Sequence, residues 1–289
     1  MAPSFDQPAV AQNDSQNKKQ TALEKLSQGT PLPGVPKFTS VELQRQHMLN
    51  HMAGAFRVFA RHGFVEGMSG HISLRDPEFP DRFWTNPLGL HFALIHPSDM
   101  ILVDESGLAV GGNMERPANA AGFLIHAALH KARSDVNAAC HFHSTYGKAW
   151  STFAQPLEML NQDVTMFYGK AQSVYKEFGG VVLEQEESAA LAAALGPEGK
   201  GMILRNHGLL TVGSTVDEAA YLFLLMEKSC QIQLAADAAA AVGRHKVYID
   251  DNAARYTFEN TSEPESLYAE FQVYLQYEAV MSHDGYKSL

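Results

Sequence analysis

The chain has 289 residues, of which 45% are hydrophobic and 19% charged, a length and balance typical of a globular protein with a substantial buried core. No apolar run approaches the ~20 residues of a membrane span and the N-terminus lacks the apolar centre of a secretion signal, so we expect a cytoplasmic protein with no membrane partner. The formal net charge of −10 disfavours nucleic acid as a partner, because binding to phosphate backbones depends on Lys and Arg.

The first half of the chain predicts a tail, a helix and a group of short strands. Residues 1–37 are rich in Gln, Asn, Ser and Pro and are predicted to be a flexible N-terminal tail. A helix is predicted from Thr39, with Glu42 completing a capping box, to about His62. The short β-like runs that follow, separated by Gly, Pro and Asp, are HISLRD, FALIHP and MILVDESG.

The second half predicts helices that alternate with strands. Residues 117–133 have helical apolar spacing, VNAACHFH reads as a strand, and GKGMILRNHGLLTVG contains two strands around a tight turn. Thr215 and Glu218 form a capping box for an Ala/Leu-rich helix that continues to about Val242. We therefore predict an α/β domain over residues 38–243. A C-terminal extension over residues 244–289, with a terminal helix from about Glu265, packs on this domain or on a neighbouring subunit.

Histidines supply the clearest candidate for chemistry. His141 and His143 are two residues apart on a predicted strand, so both side chains point to the same face. His207 precedes Gly208, which would let the backbone turn sharply and bring the third ring to the same point. Three neutral imidazoles leave positions open on Zn²⁺ or Fe²⁺ for water or substrate. A His-x-His pair alone is weak evidence for a metal, so the assignment depends on the rest of the chain.

The order of motifs along the chain adds that evidence. The segments GMSGHIS, PSDMILVDESG, ARSDVNAACHFH and RNHG together resemble the class II aldolase/adducin N-terminal domain family, over about residues 40–242. The resemblance implies a three-layer α/β/α domain around a central, mostly antiparallel sheet, assembled as a cyclic homotetramer with active sites between subunits. It also implies a divalent metal on His141, His143 and His207, with Zn²⁺ expected first and Fe²⁺ or Mn²⁺ as alternatives.

The sequence departs from the sugar-phosphate aldolases of that family where they bind phosphate and carry their catalytic Glu. Counting from His126, the family's Ser-Ser-Glu falls on Ala120-Ala121-Gly122, its Gly-Asn-x-Ser turn on residues 70–73, and its phosphate turn on residues 86–89. A phosphate needs several N–H or hydroxyl donors, so we expect an unphosphorylated small-molecule substrate. By this alignment the substrate-binding residues are Gly70, His71, Asn86, Leu88 and Gly122.

Several residues keep two interpretations. His71 is a substrate donor or a histidine satisfied within its turn, and the spacing of His126 and His130 favours a structural or supporting role, because HAALH lacks the Glu of the zinc motif HExxH. Gln162 stands where the family has a catalytic tyrosine from the adjacent subunit, so Asp163 or Tyr168 is the expected substitute, unless each is simply structural. Four further residues line an apolar pocket or belong to the core: Phe83, Trp84, Leu90 and Phe92.

The expected function is that of a metal-dependent lyase, which stabilises an enolate during carbon–carbon cleavage, decarboxylation or epimerisation of a carbonyl or hydroxy-acid substrate. Two alternatives stay open: an Fe(II)-dependent oxygenase of a secondary-metabolite pathway, and a non-catalytic adducin-like interaction module. We expect self-association because segments 157–175 and 245–289 are rich in apolar and aromatic residues, among them Phe167, Tyr168, Tyr175, Phe271 and Tyr274.

Overall fold

A mixed sheet of eight strands forms the centre of the protein in a computed structural model, which describes residues 20–177 and 185–287. The strands are β1 (His71–Arg75), β2 (Arg82–Thr85), β3 (Ile101–Asp104), β4 (Ala109–Gly112), β5 (Ala138–Phe142), β6 (Gln172–Tyr175), β7 (Gly201–Leu204) and β8 (Gly208–Gly213). Their order across the sheet is β4-β3-β2-β1-β5-β8-β7-β6. Neighbouring strands are antiparallel except β6 and β7, so the predicted mostly antiparallel sheet is confirmed.

Helices cover both faces of this sheet. They are α1 (Ala22–Leu26), α2 (Val41–Arg61), α3 (Ala120–Ala132), α4 (Thr145–Ser151), α5 (Gln185–Leu195), α6 (Val216–Ala241), α7 (Asp251–Thr261) and α8 (Pro264–Met281). The larger core joins one face of the sheet to α2, α4, α6 and α8, and a second core joins the other face to α3 and α5. The result is the three-layer α/β/α arrangement that was expected.

Side-chain alternation along β5 separates the two cores and places the histidines. Cys140 and Phe142 point into the larger core, whereas Ala139 points to the face covered by α3 and α5. His141 lies on the same face as Ala139 because successive strand residues alternate. The antiparallel register pairs His71 of β1 with His141, so both imidazoles lie on the face beneath α3.

The helix starts differ in detail from those predicted. Ser40, not Thr39, caps α2, since its hydroxyl accepts a hydrogen bond from the Leu43 amide. Thr215 caps α6 as expected, but the Glu218 carboxylate accepts from the Ser214 amide and bonds Lys200 instead of completing a capping box.

The run FALIHP is not a strand. Two 3-10 helices occupy this region, Phe92–Leu94 and Pro97–Asp99. The His91 ring accepts a hydrogen bond from the Ala93 amide, and Pro97 has no N–H to donate to a strand ladder, so local capping replaces strand pairing here.

The predicted N-terminal tail includes a structured part. Helix α1 begins with a complete capping box between Thr21 and Glu24 and buries Ala22 and Leu23. Glu263 accepts a hydrogen bond from the Ala22 amide, which ties this segment to the C-terminal region. The tail prediction therefore extended too far, and residues 1–19 lie outside the described part.

The C-terminal segment packs on the body of its own chain. Leu267, Phe271 and Leu275 of α8 belong to the larger core, and Arg61 of α2 bonds Glu278 at 2.6 Å. No described helix combines the length and apolar character needed to cross a membrane.

The aromatic residues that suggested an interface are mainly core residues. Phe167 and Phe271 are buried in the larger core, and Tyr175 is buried in the second core, between the sheet and helices α3 and α5. The large apolar side chains that α8 exposes are Val273, Tyr277, Val280 and Met281.

Candidate metal centre

Three histidines converge where the ends of β5 and β8 meet. His141 is in β5, His143 follows the end of that strand, and His207 immediately precedes β8. One ring nitrogen from each lies within 4.8 Å of the others. The ring centroid of His207 is 4.7 Å from that of His141 and 4.8 Å from that of His143. The structure thus brings together the three residues that the motifs selected.

In the turn that carries His207, a residue other than the predicted glycine takes the unusual backbone conformation. Asn206, not Gly208, takes the left-handed conformation, with φ of 56°, which asparagine tolerates better than most residues. Gly208 is needed for close approach instead, because a Cβ there would lie 2.8 Å from the Phe142 carbonyl oxygen. The missing side chain lets β8 pass near the end of β5 and brings His207 to the other two rings.

His141 is held in one orientation by the backbone of the neighbouring strand. Its Nδ1 lies 2.8 Å from the Leu209 carbonyl oxygen, which can only accept, so Nδ1 carries the proton and Nε2 keeps its lone pair. Burial, with a further contribution from the neighbouring imidazoles, places the pKa of His141 well below its ordinary value. Burial also lowers the pKa of His207 to about 4 and lowers that of His143. All three rings are therefore neutral at neutral pH, the state in which imidazole ligates metals.

An ion pair lies at the exposed side of the centre. Glu66 bonds Lys148 at 2.6 Å, and its carboxylate is 3.9 Å from His143 Nδ1. The hydrogen bond from Lys148 lowers the pKa of Glu66, so this carboxylate is ionised. The sequence motifs gave no reason to select Glu66, because the β1–β5 register and α4 bring it to the site from a separate loop.

The absence of a side chain at Gly122 leaves room for the His71 ring. His71 is 3% exposed, its ring centroid is 5.2 Å from that of His141, and a Cβ on Gly122 would lie 2.4 Å from its Cε1. The imidazole thus fills the space where a side chain at 122 would begin. Burial lowers the pKa of His71 to about 3. Neither ring nitrogen is in hydrogen-bond geometry with another described group.

His126 and His130 share Ser73 in a buried chain of hydrogen bonds. The Ser73 hydroxyl is 2.8 Å from His126 Nδ1 and 2.7 Å from His130 Nε2, and His130 Nδ1 is 3.0 Å from the Val136 carbonyl oxygen. Burial lowers the pKa of His130 to about 3 and that of His126 well below its ordinary value. This chain gives both His130 nitrogens and His126 Nδ1 a structural role, and it leaves His126 Nε2 without a hydrogen-bond partner among the described residues.

The other residues expected to bind substrate have local structural partners. Gly70 has φ of 100°, and a Cβ there would lie 2.5 Å from the Phe142 ring. Asn86 Oδ1 accepts a hydrogen bond from the Ile72 amide, and the Leu88 amide donates to the Pro117 carbonyl. Packing accounts for Gly70 and a side-chain hydrogen bond accounts for Asn86, whereas the Leu88 contact involves its backbone alone.

Of the four apolar residues that were assigned either to a pocket or to the core, two are core residues and two are partly buried. Phe83 is buried against Phe123, and Phe92 belongs to the larger core. Trp84 and Leu90 are partly buried against the larger core, and the Trp84 indole donates to Asp76.

Of the two expected catalytic substitutes, Tyr168 bonds another element of this chain and Asp163 is exposed. The Tyr168 hydroxyl donates to Asp251 of α7 at 2.5 Å. Asp163 is exposed, and its charge raises the pKa of Glu270, after the larger effect of burial. Their roles therefore stay predictions that depend on a second subunit.

The donor set at the convergence point fits a divalent metal. It consists of three neutral imidazoles, and the Leu209 carbonyl fixes the orientation of one of them, as second-layer groups do at histidine metal sites. An all-nitrogen set suits Zn²⁺ and Fe²⁺, and three protein ligands leave positions for substrate, which is the pattern of catalytic centres.

Comparison with known proteins finds consistent relatives. The model of the class II aldolase and adducin N-terminal domain family matches residues 50–234. The decarboxylase NovR of Streptomyces niveus is 42% identical over 206 residues, which cover 71% of this chain and 75% of that protein. The 4-hydroxy-3-prenylphenylpyruvate oxygenase/4-hydroxy-3-prenylbenzoate synthase of Streptomyces roseochromogenus is 42% identical, with 71% of this chain and 73% of that protein covered.

A solved structure agrees over nearly the whole fold. The structure titled L-fuculose 1-phosphate aldolase from Glaciozyma antarctica superposes with a TM-score of 0.80 and 40% identity. The match covers 88% of this chain and 97% of that one.

Proposed function

Because this chain belongs to the class II aldolase and adducin N-terminal domain family, we propose that it is a metal-dependent enzyme of the lyase type. Its substrate is an unphosphorylated carbonyl or hydroxy-acid compound. The observation that carries the proposal is the convergence of three neutral imidazoles, His141, His143 and His207, within 4.8 Å. Relatives named as a decarboxylase and as an aldolase support an enzymatic role.

The residues of this chain hold and orient the centre. His141, His143 and His207 are the ligands, and the Leu209 carbonyl sets the tautomer of His141. When bound, the metal supplies Lewis acidity toward a carbonyl or enolate oxygen. His141 is buried and His207 is partly buried, and a buried environment strengthens electrostatic stabilisation of a developing charge.

The choice of an unphosphorylated substrate depends on what surrounds the metal centre. Gly122 and Leu88 supply no side-chain donor, and His71 is neutral and buried. A phosphate dianion would need several charged or N–H donors here. The related structure titled as a fuculose phosphate aldolase makes L-fuculose 1-phosphate the sharpest substrate to test against this proposal.

Metal quantification on protein purified without added metal is the first test, and we expect one divalent metal ion per chain. The metal-loaded protein is then assayed with a panel of 2-oxo and 2-hydroxy acids for release of CO₂ or aldehyde. We expect turnover within this panel and none with L-fuculose 1-phosphate. Turnover of the sugar phosphate at ordinary enzyme rates, about 1–10³ s⁻¹, would contradict the substrate assignment. Purification free of metal, with no binding on titration, would contradict the metal assignment.

An Fe(II)-dependent oxygenase is the second candidate, because one relative at 42% identity is named as an oxygenase and three imidazoles also suit Fe²⁺. Oxygen uptake separates the two functions. A lyase consumes no O₂ with Zn²⁺ or Fe²⁺ bound, whereas an oxygenase consumes O₂ in step with substrate and only with Fe²⁺ bound.

A further inference from the structure

Buried nitrogen atoms with unsatisfied hydrogen-bonding capacity lie directly beside the metal centre. Both ring nitrogens of His71 and Nε2 of His126 lack a hydrogen-bond partner among the described residues. The two rings are adjacent, with centroids 4.3 Å apart. Leaving buried polar atoms unpaired costs free energy, so three such atoms at one place point to a ligand group.

The hydrogen-bond chain behind His126 determines what its free nitrogen can do. The Val136 carbonyl can only accept, so His130 Nδ1 donates to it and the neutral ring accepts at Nε2. The Ser73 hydroxyl must then donate to His130 Nε2 and accept from His126 Nδ1. His126 Nε2 is therefore left with a lone pair, and it is an acceptor only.

His71 complements that acceptor. A neutral imidazole has one N–H donor and one acceptor nitrogen, and both are unpaired here. The His71 ring contacts the ring of His141, a proposed metal ligand. Because His71 and His141 are buried whereas His143 and His207 are partly exposed, the two unpaired rings lie at the inner end of the centre.

We propose that His71 and His126 form a subsite for a substrate hydroxyl group, next to the metal centre, and that the substrates are 2-hydroxy acids or related 2-hydroxycarbonyl compounds. The proposal rests on the proposed function and narrows its substrate class. One hydroxyl donates to His126 Nε2 and accepts from the N–H of His71. A carboxylate or phosphate oxygen has no proton to donate, so it would face the His126 lone pair unfavourably. A methyl ether has an acceptor oxygen but no donor.

Small probes test this subsite by isothermal titration of the metal-loaded protein. Glycolate carries the hydroxyl, methoxyacetate replaces it with a methyl ether, and acetate lacks the oxygen. We expect glycolate to bind the wild-type protein about tenfold more tightly than methoxyacetate, the size of one buried hydrogen bond.

Variants distinguish a glycolate hydroxyl bound by the subsite from a glycolate hydroxyl bound directly by the metal. His71→Phe and His126→Phe each remove ring nitrogens while keeping an aromatic ring, and both should bring the glycolate to methoxyacetate affinity ratio close to one. His71→Asn retains a donor and an acceptor, so it should keep part of the preference. His245→Phe, at an exposed position, is the matched control and should leave the ratio unchanged.

A measurement on the wild-type protein avoids dependence on variant folding. In a nitrogen-15 spectrum of the histidine rings, the His126 Nε2 resonance should shift when glycolate is added and stay in place with methoxyacetate. Equal binding of the two probes, or a preference that persists in both Phe variants, would overturn the subsite. So would an unshifted His126 Nε2 resonance, as expected if His71 bonds His126 directly.

Failure of the subsite and failure of the proposed function give different results. A protein that binds metal but shows no hydroxyl preference overturns the subsite alone. A wild-type protein that binds no divalent metal overturns the proposed function, and the subsite falls with it.

Discussion

Because the His71 ring lies against Gly122, we predict that the effect of Gly122→Ala on stability depends on the residue at position 71. Ala at 122 places a Cβ 2.4 Å from the buried His71 ring, so the ring or the backbone must shift. We expect Gly122→Ala to destabilise the wild-type protein by about 1–3 kcal/mol. In a His71→Ser background the same change should be close to neutral or stabilising, since a helical Gly is itself unfavourable by about 1 kcal/mol.

The test compares four proteins: the wild type, Gly122→Ala, His71→Ser and the double variant. Urea unfolding of each gives the free energy of interaction between the two substitutions. Gly111→Ala, where a Cβ would have ordinary contacts at 3.5 Å, is a control substitution. Equal costs of Gly122→Ala in both backgrounds would show that the two residues do not compete for the same space.

We predict that replacing His143 weakens metal binding with little effect on stability. Its side chain is 26% exposed and lies outside the two main cores, so His143→Ala should change the unfolding free energy of the metal-free protein by less than about 1 kcal/mol. Divalent metal binding should weaken by more than about 100-fold, because even residues that only support metal ligands cost about 10–100-fold when lost. Competition against a chelator measures the affinity, with His245→Ala as the control. Unchanged metal affinity in His143→Ala would remove this residue from the ligand set.

At the scale of elements, Glu227 of α6 organises the start of α4. Its buried carboxylate accepts hydrogen bonds from the Tyr146 and Gly147 amides and from the Ser144 hydroxyl, at 2.5–2.8 Å. Negative charge at a helix N-terminus is favourable, and here it fixes the segment that follows His143. Glu227→Ala leaves these donors buried, so we expect a loss of about 2–3 kcal/mol in unfolding free energy.

Glu227→Gln keeps one acceptor oxygen and should lose less than Glu227→Ala in the same urea titrations. Glu24→Ala, in the exposed cap of α1, supplies a matched comparison for loss of a surface capping carboxylate. A Glu227→Ala protein as stable as the wild type would mean that water replaces the carboxylate at α4.

The hydrogen-bond chain between β1 and α3 predicts acid sensitivity. Burial lowers the pKa of His130 from 6.5 to about 3, so between these values the unfolded chain binds a proton that the folded chain does not. Stability therefore falls as the pH falls below about 6.5, and His130 contributes up to about 1.4 kcal/mol per pH unit.

The difference in unfolding free energy between wild type and His130→Gln, measured from pH 7 to pH 4, isolates this contribution from other titrating groups. We expect the pH slope to be shallower in His130→Gln and unchanged in the exposed-site control His245→Gln. Parallel curves for wild type and His130→Gln would mean that His130 titrates normally in the folded protein.

Sequence reasoning succeeded where the determinants are local. The placement of His141 in a strand with His143 just after its end, and the Thr215 cap, both follow from neighbouring residues. It failed where distant elements decide the outcome: the space between Gly122 and His71, the approach of Glu66 to His143, and the burial of Phe271 all depend on the packing of separate elements. The strand expected over FALIHP failed because a side-chain cap at His91 outweighed β propensity.

At the scale of the whole molecule, α8 has two apolar faces. Leu267, Phe271 and Leu275 face the core of the chain, so a chain that ends at about residue 243 would expose part of that core. Val273, Tyr277 and Val280 lie three and four residues apart and are 56–72% exposed, which places them together on the outer face of the helix. A contiguous exposed apolar stripe of this kind is typical of an interaction surface.

We predict that this outer stripe of α8 is buried when the chain assembles into a homotetramer, because closed cyclic assembly covers such a surface on every subunit. Light scattering should give about four times the chain mass for the wild type, and Val273→Glu combined with Val280→Glu should shift the mass toward smaller species without unfolding the chain, since both positions face away from the core. Leu108→Glu, at an exposed position between β3 and β4, tests whether any added surface charge has this effect. A wild-type monomer at micromolar concentration would exclude the tetramer, whereas a tetramer that persists in the doubly substituted chain would place the interface on another surface and leave the α8 stripe without a role in assembly.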